Sequence, residues 1–131
     1  KRPNEPKAGA RAPTRDLKSV ADTVAGFIGQ AEAPDIEVRE SNMATGKEGT
    51  MQETLETMAR LMDADVTFVT DSQRLRPSKS EVFRLCGDNT LITSLTSWRP
   101  SHSLEDGLRK TIQWFCDPKN LAKYKSNIYN V

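Results

Sequence analysis

Apolar residues recur at helical spacing in three parts of the chain, and the first of these follows Asp22. A short extended stretch, residues 14–20, precedes it. The helix that Asp22 caps and Pro34 ends has its apolar face at Val24, Phe27, Ile28 and Ala31. The pattern therefore predicts a helix with one apolar side near the start of the chain.

Two further helices are specified by capping boxes. Thr50 and Glu53 begin one of them, and its apolar stripe is Met51, Leu55, Met58 and Met62. Ser103 and Asp106 begin the other, which ends at Asp117-Pro118 and has its apolar side at Leu104, Leu108, Ile112 and Phe115. Methionines on a helix can also line an adaptable binding groove, but a core face is the simpler interpretation of the first stripe.

Shorter apolar runs lie between these helices. We predict a strand over residues 38–44, closed by the turn at residues 45–47, and a short buried strand at Val66, Phe68 and Val69. A short helix is predicted from Asp88-Asn89 to Leu95, after which Trp98 turns an aromatic ring toward the core. This order favours a mixed α/β fold, a small lobe of about four helices with a few short strands.

The charge balance argues against two classes of partner. Nineteen basic and eighteen acidic side chains leave a net charge of +1, which provides no long-range field for nucleic acid or an anionic membrane. No apolar run approaches the roughly 20 residues of a membrane span. We therefore expect a soluble, cytoplasmic protein of one domain. Residues 1–13, rich in proline and charge, are predicted to be a flexible N-terminal segment.

Few side chains offer chemistry of their own. Cys86 and Cys116 lie thirty residues apart without a Cys-x-x-Cys partner, and the single histidine, His102, precedes a predicted helix cap. We expect two reduced thiols, no metal site, and a histidine that serves as a turn residue rather than a catalytic base. The sequence also has no Gly-x-x-x-x-Gly-Lys loop. It gives little support for catalysis by this chain alone.

Arginines beside predicted turns are the remaining candidates for a binding site. Arg15, Arg74 and Arg76 have the forked donor geometry that suits a diphosphate. Each also fits a solvated surface charge, and spacing alone favours that second interpretation.

Several segments, taken in order, resemble one family. PTRDLKSVADTVAGFIGQAE resembles the Arg-Asp-aromatic-x-x-Val-x-Asp-x-Val-x-Gly motif of extended short-chain dehydrogenase/reductases (SDRs), in particular the NAD-dependent sugar-nucleotide epimerases and 4,6-dehydratases. NMATGKEGTMQETLETMARLM is similar to their next strand, turn and capped helix. Their C-terminal substrate domain is matched by RPSKSEV, GDNT, LTSWRPSHSLEDGLRKTIQWF and IYNV. The resemblance covers residues 13–131, and RPSKSEV and IYNV favour dehydratases over epimerases.

The resemblance implies that residues 14–131 form a substrate-binding lobe, the C-terminal part of an extended SDR fold without its Rossmann domain. In such enzymes this lobe covers a nucleotide diphosphate sugar that lies across a Rossmann domain holding NAD. By this resemblance Arg15 and Arg76 contact phosphate, Glu81 lies near the nucleotide ribose, and Asn89 is a ligand or a helix cap.

Departures from the family pattern limit what it implies. Ser19 stands where the family has an aromatic residue, Gly49 replaces an aliphatic one, and Arg39-Glu40 interrupt an apolar strand. Asp16 and Asp22 are expected to be structural, tying a turn and capping a helix. The Gly-x-x-Gly-x-x-Gly cofactor loop and the catalytic Tyr-x-x-x-Lys pair do not occur in the sequence. We therefore expect neither a catalytic residue nor a cofactor site here, although the intact family enzyme uses NAD.

Three interpretations stay open. The chain is a nucleotide-sugar-binding lobe of a dehydratase or epimerase, truncated or separately encoded; or a stand-alone oligomerising or protein-interaction module derived from that lobe; or half of an enzyme that works in trans with a Rossmann-domain partner chain. For the second we expect a homo-oligomer, because loss of the partner domain leaves apolar surface uncovered.

Overall fold

The computed structural model describes residues 5–34 and 40–124. The helices in these ranges are α1 Val20–Glu32, α2 Met51–Leu61, α3 Thr90–Leu95, α4 Leu104–Cys116 and α5 Pro118–Leu121. The strands are β1 Lys7–Ala8, β2 Thr14–Arg15, β3 Gly49–Thr50, β4 Val69–Thr70 and β5 Arg84–Leu85. Two short 3-10 turns span Ser72–Arg74 and Ser78–Ser80. The predicted mixed α/β class, a small lobe of helices with a few short strands, is confirmed.

The strands form two small sheets. In the larger sheet β2 is central, antiparallel to β3 and parallel to β5. In the smaller sheet β1 pairs in parallel with β4. Residues 5–13 are therefore tied to distant parts of the chain, and the main-chain N–H of Gln52 also donates to the Arg11 carbonyl. The flexibility expected for residues 1–13 stays a prediction, and residues 1–4 lie outside the described ranges.

The core is small. The buried apolar side chains in the described ranges are Pro13, Ala44, Ile92 and Trp98, joined by the polar side chains of Asp22 and Thr54. Trp98 turns into this core as predicted, and its ring is only 5% exposed.

Helix α1 differs most from its prediction. Its N-cap is Ser19, whose hydroxyl accepts a hydrogen bond from the Ala21 N–H at 3.2 Å, and not Asp22. Asp22 lies on the buried side of the helix with Gly26. A Cβ on Gly26 would come within 3.3 Å of the Trp98 indole nitrogen, so glycine lets the helix approach the core. The predicted apolar face points instead to solvent, with Phe27 63% exposed.

The two capping-box helices agree with their predictions. The Thr50 side chain accepts a hydrogen bond from the Glu53 N–H, and the Glu53 carboxylate accepts one from the Thr50 N–H. Ser103 and Asp106 form the same reciprocal pair at the start of α4. Helices α2 and α4 are linked by an ion pair between Arg60 and Glu105 at 2.8 Å.

The predicted strands agree less well with the structure than the predicted helices do. Residues 40–44 have no regular structure, and residues 38–39 of that predicted strand lie outside the described ranges. The expected buried strand at residues 66–69 is only β4, Val69–Thr70, which is exposed and pairs with β1 alone. The short helix predicted to end at Leu95 is confirmed as α3.

Replacing Gly87 by alanine is expected to lower the free energy of unfolding by about 1–3 kcal/mol. A Cβ there would overlap the Cβ of buried Ala44, which has no flexible atoms to move aside. Gly107→Ala is the matched control, because nothing lies within 4 Å of a Cβ at that position of α4. Helix propensity alone should make the control neutral or more stable by up to about 1 kcal/mol. Urea denaturation of both variants tests this, and equal effects would contradict the close packing of residues 44 and 87.

Candidate functional site

Arg15 and Glu81, two of the predicted binding residues, form an ion pair at the end of β2. Arg15 Nη2 lies 3.2 Å from Glu81 Oε1, and both side chains are largely shielded, at 21% and 12% exposed. Arg15 Nη1 donates to the carbonyls of Thr14 at 2.8 Å and Val82 at 2.7 Å. The parallel pairing of β2 with β5 brings Glu81 and Val82, which precede β5, beside Arg15.

The guanidinium of Arg15 retains donors after these contacts. A guanidinium has five N–H donors, and the contacts with Glu81, Thr14 and Val82 use three of them. Glu81 and the two carbonyls fix the orientation of the guanidinium, and its two remaining N–H groups have no such partner within the described ranges.

Asp16 and Asn89 hold the turn beside this pair. The Asp16 carboxylate accepts from the N–H and hydroxyl of Thr45 at 3.1 and 2.6 Å, and from the Gly46 N–H at 3.0 Å. Asn89 donates its amide to the Ala44 carbonyl at 2.8 Å. Gly46 has a φ of 71°, a conformation that favours glycine. The structural role predicted for Asp16 is confirmed, and the Asn89 side chain ties the turn rather than capping α3.

The other two arginines differ from each other. Arg74 donates to the Lys7 carbonyl at 3.2 Å and lies 3.6 Å from Asp71, so it supports the start of the chain. Arg76 is exposed before Pro77. Within residues 5–34 and 40–124 no hydrogen bond or ion pair of the Arg76 side chain is seen, so its whole fork faces solvent.

Sequence reasoning missed a buried network around Asp22. Its carboxylate, 1% exposed, accepts from the N–H of Ser101 at 3.2 Å, the Ser101 hydroxyl at 2.7 Å and the His102 N–H at 3.2 Å. His102 Nδ1 lies 2.8 Å from the same carboxylate. Burial raises the pKa of Asp22, but the hydrogen bonds from His102 and Ser101 outweigh it and lower the pKa to about 2.

This network gives His102 a structural task. Asp22 is ionised at neutral pH and only accepts, so Nδ1 of His102 donates to it. Trp98 adds a bond from its indole nitrogen to the Asp22 carbonyl at 2.8 Å. Helix α1 is thereby fastened to the turn before α4, and the prediction of a turn histidine is confirmed. No local signal reveals the pairing, because residues 22 and 102 lie far apart in sequence.

Two open depressions flank the turn at residues 44–46. The smaller, about 330 Å³, has Arg15, Lys47 and His102 in its lining. The larger, about 760 Å³, includes Phe27 and Leu85. Neither encloses a ligand by itself, so a ligand bound here would remain open to solvent or to a further domain.

Other chemistry is sparse in the part of the chain that the structure describes. No group of three or more His, Cys, Asp or Glu side chains there is placed to hold a metal ion. Cys86 and Cys116 are free thiols. None of the described helices is long and apolar enough to cross a membrane.

Solved structures that align with this chain include epimerases and a dehydratase, some of them solved with a sugar nucleotide. An epimerase from the methanogen Methanothermobacter thermautotrophicus aligns with a TM-score of 0.79 at 23% identity, over 92% of this chain and 35% of its own. UDP-glucose 4-epimerase from Thermotoga maritima, solved with UDP-glucose, aligns with a TM-score of 0.76 at 25% identity, over 89% and 36%. The dTDP-glucose 4,6-dehydratase from Bacillus anthracis, solved with NAD, aligns with a TM-score of 0.67 at 21% identity, over 88% of this chain and 35% of its own. No family model and no curated protein sequence matches the chain.

These matches define the class of fold. The chain spans about a third of the length of the solved structures it matches. Its fold is that of one part of the NAD-dependent sugar-nucleotide epimerases and dehydratases, the extended short-chain dehydrogenase/reductases. The resemblance seen in the sequence motifs is thereby confirmed.

Proposed function

We propose that this chain is the nucleotide-diphosphate-sugar-binding lobe of an NAD-dependent sugar-nucleotide 4,6-dehydratase or epimerase, and that it does not catalyse alone. The observation that supports this most is the Arg15–Glu81 pair, which orients a guanidinium at the edge of an open depression. A structure of similar fold, UDP-glucose 4-epimerase from Thermotoga maritima, was solved with UDP-glucose. A diphosphate is the ligand chemistry that two arginines suit.

Each predicted binding residue has a separate task in this proposal. Arg15 offers its remaining donors to the diphosphate, while Glu81 holds the guanidinium in place. Arg76, exposed before Pro77, is proposed to supply the second guanidinium to the diphosphate. Asn89 acts indirectly, since it fixes the turn at residues 44–46 next to Arg15.

The chemical steps need a second domain. The sequence has neither a glycine-rich dinucleotide loop nor a Tyr-x-x-x-Lys pair, so a Rossmann domain, on a partner chain or elsewhere in a longer protein, would hold NAD and supply the proton-transfer groups. Mixing this chain with such a partner should give NAD-dependent turnover of a sugar nucleotide. Absence of turnover would remove the version in which two chains work in trans.

Replacing Arg76 by alanine is expected to weaken sugar-nucleotide binding about 10- to 100-fold, because one charge-assisted contact with phosphate is worth roughly 1.5–3 kcal/mol. Calorimetric titration with UDP-glucose, UDP-glucuronic acid and dTDP-glucose measures the effect. Arg109→Ala is the control, because Arg109 is exposed on α4 and pairs with Glu105. Unchanged affinity in the Arg76 variant would mean that Arg76 is a surface charge that does not contact the ligand.

A stand-alone oligomerising module is the second candidate function. It is favoured by one observation: among the described residues, sixteen large apolar side chains are exposed whereas only four apolar side chains are buried. Such a surface is typical of a domain that associates with another protein surface. A purely monomeric chain at high micromolar concentration in a sedimentation experiment would count against this candidate.

A further inference from the structure

His102 lies at the border between a buried network and an open depression. Its Nδ1 is 2.8 Å from the Asp22 carboxylate, which is 1% exposed, whereas the His102 side chain as a whole is 24% exposed. His102 also lines the depression of about 330 Å³ that contains Arg15 and Lys47. Because Nδ1 is turned toward the buried carboxylate, the exposed part of the ring is the opposite edge, which carries Nε2. This nitrogen has no hydrogen-bond partner within the described ranges.

The network determines which ring nitrogen can gain a proton. Burial of Asp22 is outweighed by hydrogen bonds from His102 and Ser101, so the pKa of Asp22 is about 2. The carboxylate is therefore ionised from about pH 5 to 8, the range in which histidine side chains change charge. Throughout this range Nδ1 keeps its hydrogen and donates to Asp22. The second proton goes to Nε2, which becomes a charged donor at the edge of the depression.

Other charges around the depression are mostly paired. The ion pairs are Arg15–Glu81 at 3.2 Å and Arg84–Glu48 at 2.7 Å. The ammonium group of Lys47 has no hydrogen bond or ion pair within the described ranges. When His102 is neutral, the negative charge of Asp22 offsets that of Lys47. When His102 is protonated, it neutralises Asp22 itself, so the depression gains a net positive charge and becomes more favourable for an anion.

Neighbouring carboxylates keep their charge over the same range. Asp106 on α4 interacts electrostatically with His102 and Lys110, and its pKa is lowered by hydrogen bonds from the Ser103 hydroxyl and N–H. The pKa of Glu48 is lowered as well, by side-chain hydrogen bonds. Lysine and arginine stay positive at these pH values. His102 is the single histidine of the chain, so a change in ligand affinity between about pH 5.5 and 7 reports on this one side chain.

We propose that His102 is a further ligand-binding residue, whose protonated Nε2 donates to a phosphate oxygen of a nucleotide diphosphate sugar held by Arg15. This inference rests on the proposed function, because it takes the same ligand. Both phosphates of such a ligand are diesters, which keep their charge in this range, so the ligand itself adds no pH dependence. Affinity should rise about 3- to 10-fold from about pH 7 to 5.5, a range limited by the gain in protonated imidazole.

Calorimetric titration with UDP-glucose at about pH 7 and 5.5 compares the parent with His102→Asn. The asparagine amide nitrogen takes the place of Nδ1 and keeps a donor for Asp22, but the variant has no atom in the place of Nε2. It should therefore unfold in urea like the parent and lose the pH dependence of binding. Arg109→Ala is the control, because Arg109 pairs with Glu105 on α4, and it should keep the pH dependence of the parent.

A second measurement uses the parent alone. Its single histidine gives one set of imidazole signals in a proton NMR titration. If the protonated ring binds the ligand more tightly, UDP-glucose must in turn favour protonation, so the midpoint of this titration should move to higher pH when UDP-glucose is added. A histidine that only ties α1 to the turn before α4 would show the same midpoint with and without the ligand.

The outcomes separate the role of His102 from the proposed function. Tighter binding at low pH in the parent and in Arg109→Ala but not in His102→Asn, with a raised midpoint, supports the proposal. Equal binding at both pH values with an unmoved midpoint overturns the proposal and keeps the nucleotide-sugar lobe. A pH dependence that persists in folded His102→Asn also overturns it. If this variant does not fold, the midpoint of the parent decides. No binding at either pH overturns the lobe and, with it, this role of His102.

Discussion

Replacing Trp98 by alanine is expected to lower the free energy of unfolding by about 3–5 kcal/mol. Trp98 is one of only four buried apolar side chains in the described ranges, and its indole nitrogen donates to the Asp22 carbonyl at 2.8 Å. The Trp98 side chain also packs against α1 at Gly26 and Gly29, where an added Cβ would lie 3.3 Å from its indole nitrogen and 3.6 Å from its Cβ. Since small domains have about 5–15 kcal/mol of stability in total, this variant should be largely unfolded at modest urea concentrations.

Trp114→Ala is the control for this prediction, because it removes the same kind of side chain from a site that is 42% exposed. It should cost clearly less than the Trp98 change, about 1 kcal/mol, from loss of the edge-to-face contacts with Phe115 and Tyr124. Urea denaturation followed by far-ultraviolet circular dichroism compares the two. Similar losses for both variants would mean that Trp98 does not hold α1 to the core.

Replacing Asp22 by alanine is the second large effect, with an expected loss of about 3 kcal/mol or more. The change leaves the N–H groups of Ser101 and His102 and the His102 ring without their buried acceptor. Asp65→Ala is the control, because Asp65 is exposed and should change the stability by no more than about 0.5 kcal/mol.

The same residue predicts a pH dependence. The pKa of Asp22 in the folded chain is lowered from 3.8 to about 2, so its contribution is present above pH 3.8 and is lost as the pH falls toward the folded value. The difference in unfolding free energy between the parent and Asp22→Ala should therefore shrink below about pH 4. A difference that stays unchanged down to about pH 2.5 would show that the ionised carboxylate does not form this network.

Local sequence rules located the helices because their signals are local. The capping boxes at Thr50 and Ser103 each need a partner only three residues away, and both formed as predicted. Strands β1 and β4 were missed or misjudged, because their pairing joins residues about sixty positions apart. The same reason explains Asp22, whose spacing fits a helix cap while its actual partners are Ser101 and His102.

The candidate site was predictable in its members but not in their contacts. The family motifs pointed to Arg15 and Glu81 separately, and only the parallel pairing of β2 with β5 brings the two together. The motifs also could not indicate that Asn89 holds the turn at Ala44. The apolar face of α1 was recognised, yet its exposure follows from Gly26 and Asp22 facing the core instead.

Calorimetric titration of the purified chain with UDP-glucose and, separately, with NAD tests the central claim most directly. The proposed sugar-nucleotide lobe should bind UDP-glucose weakly, with a dissociation constant on the order of 0.1–1 mM, because the depressions beside Arg15 are open to solvent. It should show no heat of binding with NAD. Tight binding of NAD, with no response to UDP-glucose or to any other nucleotide diphosphate sugar, would contradict the account.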